Sequence, residues 1–318
     1  MAKKTLLTDG AIFHKVKSGF ITDGGVYRKI KKAFVTDGGV YCPCWGGGVA
    51  DMEIVLPAGS TDNGVVTMGG TQYRLLTITQ SGTVKFAEPV TGEVWMCGGG
   101  TSGRSSNAGL AVRAGGGGAG AFTASGQVAL SGSMVAVVGS GGATMSTDVG
   151  GYNFGGASSF GGIATSVGFS ANSKIYYGVR GGTGGGSSGN TAAGTGDGVT
   201  KYPFGDSTYF AHPHCGGGGA GGSYANSSSA RYSGGAGGTN GGSGAKGADS
   251  VGNAMYCTGG AGGEYGGGRG GNHNESGTPA AYYGSGGGGG GYYYSGSKFG
   301  NGGAGYQGVI YIRIPVNQ

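Results

Sequence analysis

Glycine decides what this chain can fold into. The 318 residues include 86 Gly and 7 Pro, with only 11% charged side chains, whereas an ordinary soluble domain carries roughly 7% Gly and 25% charged residues. Of the glycines, 71 follow Glu93. Hydrophobic residues reach 36%, yet many are Ala or Tyr, so the Val, Ile, Leu and Phe of one large interior are thinly spread. The apolar material is expected in a few short strands.

Glycine gives up more backbone entropy on folding than any other residue. Runs such as 115–118, 216–219 and 286–291 must therefore stay disordered or gain something specific. Collagen needs Gly at every third place with abundant Pro between, and neither holds here. A flexible linker would not carry the 16 Tyr found after Glu93 or end in the apolar strand GVIYIRIPV. The remaining solution is a set of extended polyglycine-II-type helices packed side by side. In such an array the missing side chains let backbone amides of one run meet carbonyls of the next. The insertions between runs then become loops at the ends of the array.

The first 45 residues follow a different rule. TDGAIFHKVKSGFI from Thr8 recurs as TDGGVYRKIKKAFV from Thr22 and as TDGGVYCPCW from Thr36. Fourteen residues suit two short strands and two turns, and the Asp-Gly at each joint favours a tight hairpin. Within GVYRKIKK the side chains alternate, Val26 and Ile30 against Lys29 and Lys31, as a one-sided sheet requires. A small β-meander is expected, with little core of its own. Residues 1–45 hold eight Lys and Arg against three Asp, nearly the whole excess behind the net charge of +6. That charge reads as solvated strand faces, and no nucleic-acid partner is expected. The MAKKTLL start lacks an apolar segment behind its basic residues, and no stretch has the length of a membrane span. Synthesis in the cytoplasm without a signal peptide is expected, with no membrane insertion. Five Cys is an odd number, so reduced thiols are the default.

From about Val49 to Met96 the composition is nearly normal, with strand-like runs MEIVLP, QYRLLTITQ, TVKFAE and GEVWM. The order of pieces then becomes informative. QYRLLTITQSGTVKFAEPVTGEVWMCGGG is followed by AGGGGAGAF, by VALSGSMVAVVGSGG, by GGASSFGG and finally by GAGYQGVIYIRIPV. This succession, over Gly69 to Val316, resembles the glycine-rich domain of phage tail fibres and related bacterial proteins. The 14-residue units are similar to short repeats of phage tail proteins. The resemblance implies an all-β protein with polyglycine-II-type helices, in which β-hairpin repeats are followed by a glycine-rich sandwich. On that reading 1–45 attaches to other tail proteins, 46–92 leads into the adhesin, and 93–318 recognises a bacterial surface glycan or outer-membrane protein. It also implies a distal place on the virion tail, with a homotrimer among the forms available.

Few residues suggest chemistry. GxGxxG-type matches arise by chance at this glycine density, and GGSGAKGA, ending near Lys246, lacks the Ser or Thr of a phosphate loop. His212, His214 and Cys215 in AHPHCGGGG are the best metal candidates, with Cys42 and Cys44 as a second pair. Spacing alone does not assemble the four ligands zinc would want, and no cofactor is expected. Four His and 14 scattered carboxylates offer no paired acids and no nucleophile elbow. A non-enzymatic adhesin is therefore expected. The competing readings are a purely structural tail component and a surface-polysaccharide depolymerase.

The aromatic clusters carry the binding expectation. Tyr176, Tyr177, Tyr202, Phe204, Tyr209, Phe210, Tyr282, Tyr283, Tyr292, Tyr293 and Tyr294 all lie among glycine runs, outside any single core. Tyr combines a large face with a hydroxyl at low entropy cost, which suits stacking on sugars. The same residues could instead cap the glycine layers and keep water out.

Overall fold

The computed structural model describes six short strands between Leu6 and Gly46. It further describes residues 49–106, 114–146, 152–166, 202–221, 223–224, 231–232, 235–237, 259–263, 265–272, 275–293 and 298–316. Apart from a 3-10 turn at Pro203–Gly205, no helix occurs among the described residues. None is long and apolar enough to cross a membrane.

The strands on either side of each Asp-Gly joint pair with each other. Strands β1 (Leu6–Asp9) and β2 (Ile12–Lys15), β3 (Phe20–Asp23) and β4 (Val26–Lys29), and β5 (Lys32–Asp37) and β6 (Val40–Gly46) form three antiparallel pairs. Asp9, Asp23 and Asp37 stand opposite Ile12, Val26 and Val40, so the Asp of each joint is the last paired residue of its strand. Among the described residues these are three separate two-stranded sheets instead of one continuous meander.

The main sheet is antiparallel with eight strands. Its members are β7 (Ile54–Val55), β8 (Thr61–Met68), β9 (Thr71–Ile78), β10 (Gly82–Cys97), β11 (Thr123–Val137), β12 (Ser159–Phe160), β13 (Ile163–Ala164) and β18 (Val309–Pro315). The order is β13-β12-β11-β10-β18-β9-β8, with β7 joined to β10. The C-terminal strand thus lies between β9 and β10, which ties both ends of the glycine-rich region to one sheet. The first half of β10 alternates, burying Val84 and Phe86 and exposing Lys85 and Ala87, as a half-solvated strand does. From Val94 to Cys97 every residue is buried. Val94 and Met96 join Leu76, Leu130, Phe160, Ile310 and Ile312 in one core. Trp95 and Cys97 join Leu75, Phe210, Val309 and Tyr311 in a second. At the edge, Arg74 donates to Asp62 and to the carbonyls of Val49 and Met52, pinning the segment before β7. A smaller sheet joins β14 (Ser223–Tyr224), β15 (Arg231–Tyr232), β16 (Tyr292–Tyr293) and β17 (Lys298–Phe299).

The runs 98–106, 114–121, 214–221 and 284–291 are buried almost throughout, yet none is a strand. Their backbone groups bond to other segments instead. Gly286 and Gly289 donate to Gly216 and Gly219, Gly287 and Gly290 to Thr101 and Arg104, and Gly288 and Gly291 to Thr278 and Glu275, at 2.8 to 3.0 Å. Their carbonyls accept in the same rotation from Gly268 and Gly271, Gly118 and Gly115, and Gly303 and Gly300. This one run touches six neighbours and returns to each at every third residue. No polar backbone group of 286–291 is left over.

Such packing leaves no volume for a side chain. A Cβ on Gly288 would stand 2.0 Å from the Arg269 carbonyl oxygen, and one on Gly218 would stand 2.0 Å from that of Gly287. Gly64, at the irregularity of β8 with φ +70°, has open space around it. Gly288→Ala should destabilise the protein by more than about 3 kcal/mol, because backbone cannot move aside as a side chain does. Gly64→Ala should cost about 1 kcal/mol, from its left-handed φ alone. Denaturant unfolding of the two variants checks the contrast, and equal small losses would mean that the runs are loosely packed.

Candidate functional site

Residues 202–215 hold seven of the sixteen aromatic and metal candidates, and they fold against the Trp95 and Tyr311 face of β10 and β18. Phe210 is 8% exposed and meets the Tyr311 ring edge-on at 5.0 Å. His214 is 2% exposed, lies edge-on to Trp95 at 5.3 Å and shares a 3.0 Å hydrogen bond between Nε2 and the Tyr311 hydroxyl. Tyr282 and Tyr283 flank it at 4.9 and 5.8 Å. Burial lowers the His214 pKa to about 4 and pushes that of Tyr311 above its ordinary range, so both stay neutral near pH 7. His214 therefore acts as an aromatic core residue. His212 turns to the surface and stacks on Tyr265 at 5.0 Å. Cys215 is buried beside Gly284, where the Cys97 sulfur also points. Among the described residues no three His, Cys, Asp or Glu converge, so His212, His214 and Cys215 do not form a ligand set with a further side chain.

The same segment builds a cleft at the sheet edge. Arg313 interrupts the apolar strand β18, and its Nε and Nη2 donate to Glu93 at 2.9 and 2.6 Å across the ladder. Its guanidinium lies over two rings, Tyr73 at 4.7 Å and Phe204 at 4.4 Å. Phe204 reaches that position with φ 54°, and Gly205 follows with φ 70°. The turn is held by Asp206, whose Oδ1 accepts from the Thr208 amide, the Thr208 hydroxyl and the Tyr209 amide at 2.6 to 3.1 Å. The Thr208 hydroxyl and the turn amides keep the Asp206 carboxyl below the usual carboxylate range. The cleft is shallow and open to solvent, with a volume of about 380 Å³. It offers ring area, exposed hydroxyls and one carboxylate.

The other aromatic candidates divide by burial. Tyr209 is 37% exposed, while Tyr202, Phe204, Tyr282 and Tyr283 are half-buried. Tyr292 is 4% exposed and packs on Phe299, so like Phe210 it serves the interior. Tyr293 lies in β16 with its backbone alone described, and Tyr176, Tyr177 and Tyr294 lie outside the described residues, as do the side chains of Cys42 and Cys44. Sequence reasoning missed Tyr73, Asp206 and Arg313. An Arg inside an apolar strand was the one signal available for the last.

His214 sets a pH dependence with a definite sign. The unfolded imidazole takes up a proton near pH 6.5, whereas the folded one resists until about 4. Stability should therefore fall as pH drops through that window and level off beneath it. The loss from this group is at most about 3 kcal/mol. Unfolding titrations of wild type and His214→Phe check this, since the variant should lose that part of the slope.

No curated protein matches the chain. A family model described as a glycine-rich domain matches residues 77–315. The matched span begins inside β9, takes in the described glycine runs and ends with β18. The glycine runs, β10 to β13, β18 and the 204–208 side of the cleft fall within the match, whereas β7, β8, most of β9 and Tyr73 precede it; with most of its length matched, the chain belongs to the glycine-rich domain family.

Proposed function

We propose that this chain is a bacteriophage tail-fibre or tail-tip protein that adheres to the host bacterial surface without covalent chemistry. The observation that carries the reading is the run 286–291, bonded to six segments and returning to each at every third residue. Three residues per turn is the signature of polyglycine II, and we read the buried runs as such helices in a lateral array. A scaffold held together by backbone alone leaves the sequences between its runs free to vary, which suits a surface that must follow a changing receptor. Among the described residues, the half-buried and exposed aromatics Tyr202, Phe204, Tyr209, Tyr282 and Tyr283 are the receptor-contact candidates that retain accessible area. Several copies on one particle would turn weak single contacts into firm adhesion.

The three N-terminal hairpins have the small, charged character of a docking element, and we assign residues 1–45 to attachment on other tail proteins. Purified full-length protein should adsorb to intact host cells and compete with phage. A chain lacking residues 1–45 should still adsorb but fail to enter particles. Incorporation without any cell binding would favour the purely structural reading, and glycan degradation by the purified protein would favour a depolymerase.

A further inference from the structure

We propose that the cleft between Tyr73 and Phe204 is a subsite for an uncharged sugar residue of a surface glycan, a reading that rests on the adhesive role above. Its volume of about 380 Å³ falls within the range of small-ligand sites, roughly 300 to 1,000 Å³. The lining has the two components that sugar recognition needs. Tyr73 and Phe204 supply the ring atoms left accessible beside Arg313 for the C–H groups of a pyranose, and Thr71, Ser207 and Thr208 bring exposed hydroxyls to the rim.

Charge narrows the class of ligand. Arg313 is paired with Glu93 and covered by two rings, its side chain only 16% exposed, so its charge is already balanced. The remaining ionised group of the lining is Asp206. A carboxylate accepts hydrogen bonds from sugar hydroxyls and repels uronates, sialates and phosphorylated sugars. The cleft thus selects against acidic glycans, which an arginine standing alone would have attracted. It is also built in advance. Arg313 holds both rings, and three hydrogen bonds to Asp206 hold a turn with two successive left-handed residues.

The test uses the full-length chain and saturation-transfer NMR with methyl glucoside, methyl galactoside and methyl mannoside, each beside glucuronate and glucose 6-phosphate. At least one neutral hexoside should bind, at least tenfold more tightly than either acidic sugar. Ser207→Tyr fills the cleft from an exposed position and should lower that binding at least tenfold with thermal stability unchanged. Asp206→Asn can keep the turn while removing the charge, and should narrow the preference for the neutral sugar. The cleft assignment is overturned if no neutral hexoside binds, if acidic sugars bind as well, or if Ser207→Tyr binds like wild type. Cell adsorption separates this from the wider reading. A Ser207→Tyr protein that adsorbs normally while the wild type binds no hexoside sinks the cleft and leaves the adhesin. A wild type that binds a hexoside in the cleft but never adsorbs does the reverse.

Discussion

The structure depends on how close one backbone lies to the next. In the glycine runs a carbonyl oxygen sits about 2 Å from the point where a side chain would begin, at Gly103, Gly218, Gly288 and many others. That approach brings every amide of 286–291 within bonding distance of a carbonyl on another segment. The gain is local and repeated. Each bond is worth about 1 kcal/mol net, but a buried amide without a partner would cost more than that, so the bundle is stable only when it is complete. An interior of this kind has no hydrophobic centre to concentrate its stability, which explains why a chain so poor in Leu and Ile can still bury long segments.

The sheet supplies what the runs lack. Strand β10 begins as a half-solvated strand and ends buried on both faces, with Val94 and Met96 in one core and Trp95 and Cys97 in the other. Gly98 continues directly from it, its amide bonded to the Phe122 carbonyl. The aromatic layer of Trp95, Phe210, His214 and Tyr311 fills the seam between sheet and runs, where rings pack against an apolar face. The cleft lies at the edge of that seam because Arg313 ends the apolar face of β18.

Much of the scaffold was legible from the residues. Asp-Gly joints at an offset of 14 located the six N-terminal strands, and Val309 to Pro315 read as a strand from its unbroken apolar run. The burial of the glycine runs followed from the entropy argument, since a disordered run would not be bracketed by such strands. What the sequence hid was long-range. Nothing in VIYIRIP says that this strand inserts between β9 and β10, over 200 residues earlier. The clusters around Tyr209 and Tyr292 look alike, yet Phe210 and Tyr292 face inward while Tyr209 faces out, because orientation is set by the layer each loop crosses. The cleft was invisible for the same reason: Tyr73, Phe204 and Arg313 share no local pattern.

The return of 286–291 to each neighbour at every third residue reaches as far as the gene. Adding or removing three residues brings the same neighbours back to its amides, whereas a change of one or two turns its bonds toward the wrong ones. Insertions and deletions that survive within the runs should therefore come in steps of nine nucleotides. Between the runs any whole number of codons will do. Diversity in length is permitted where the chain leaves the bundle and filtered by a ninefold count where it passes through, so the coding sequence carries the geometry of the packing as a rule about its own mutations.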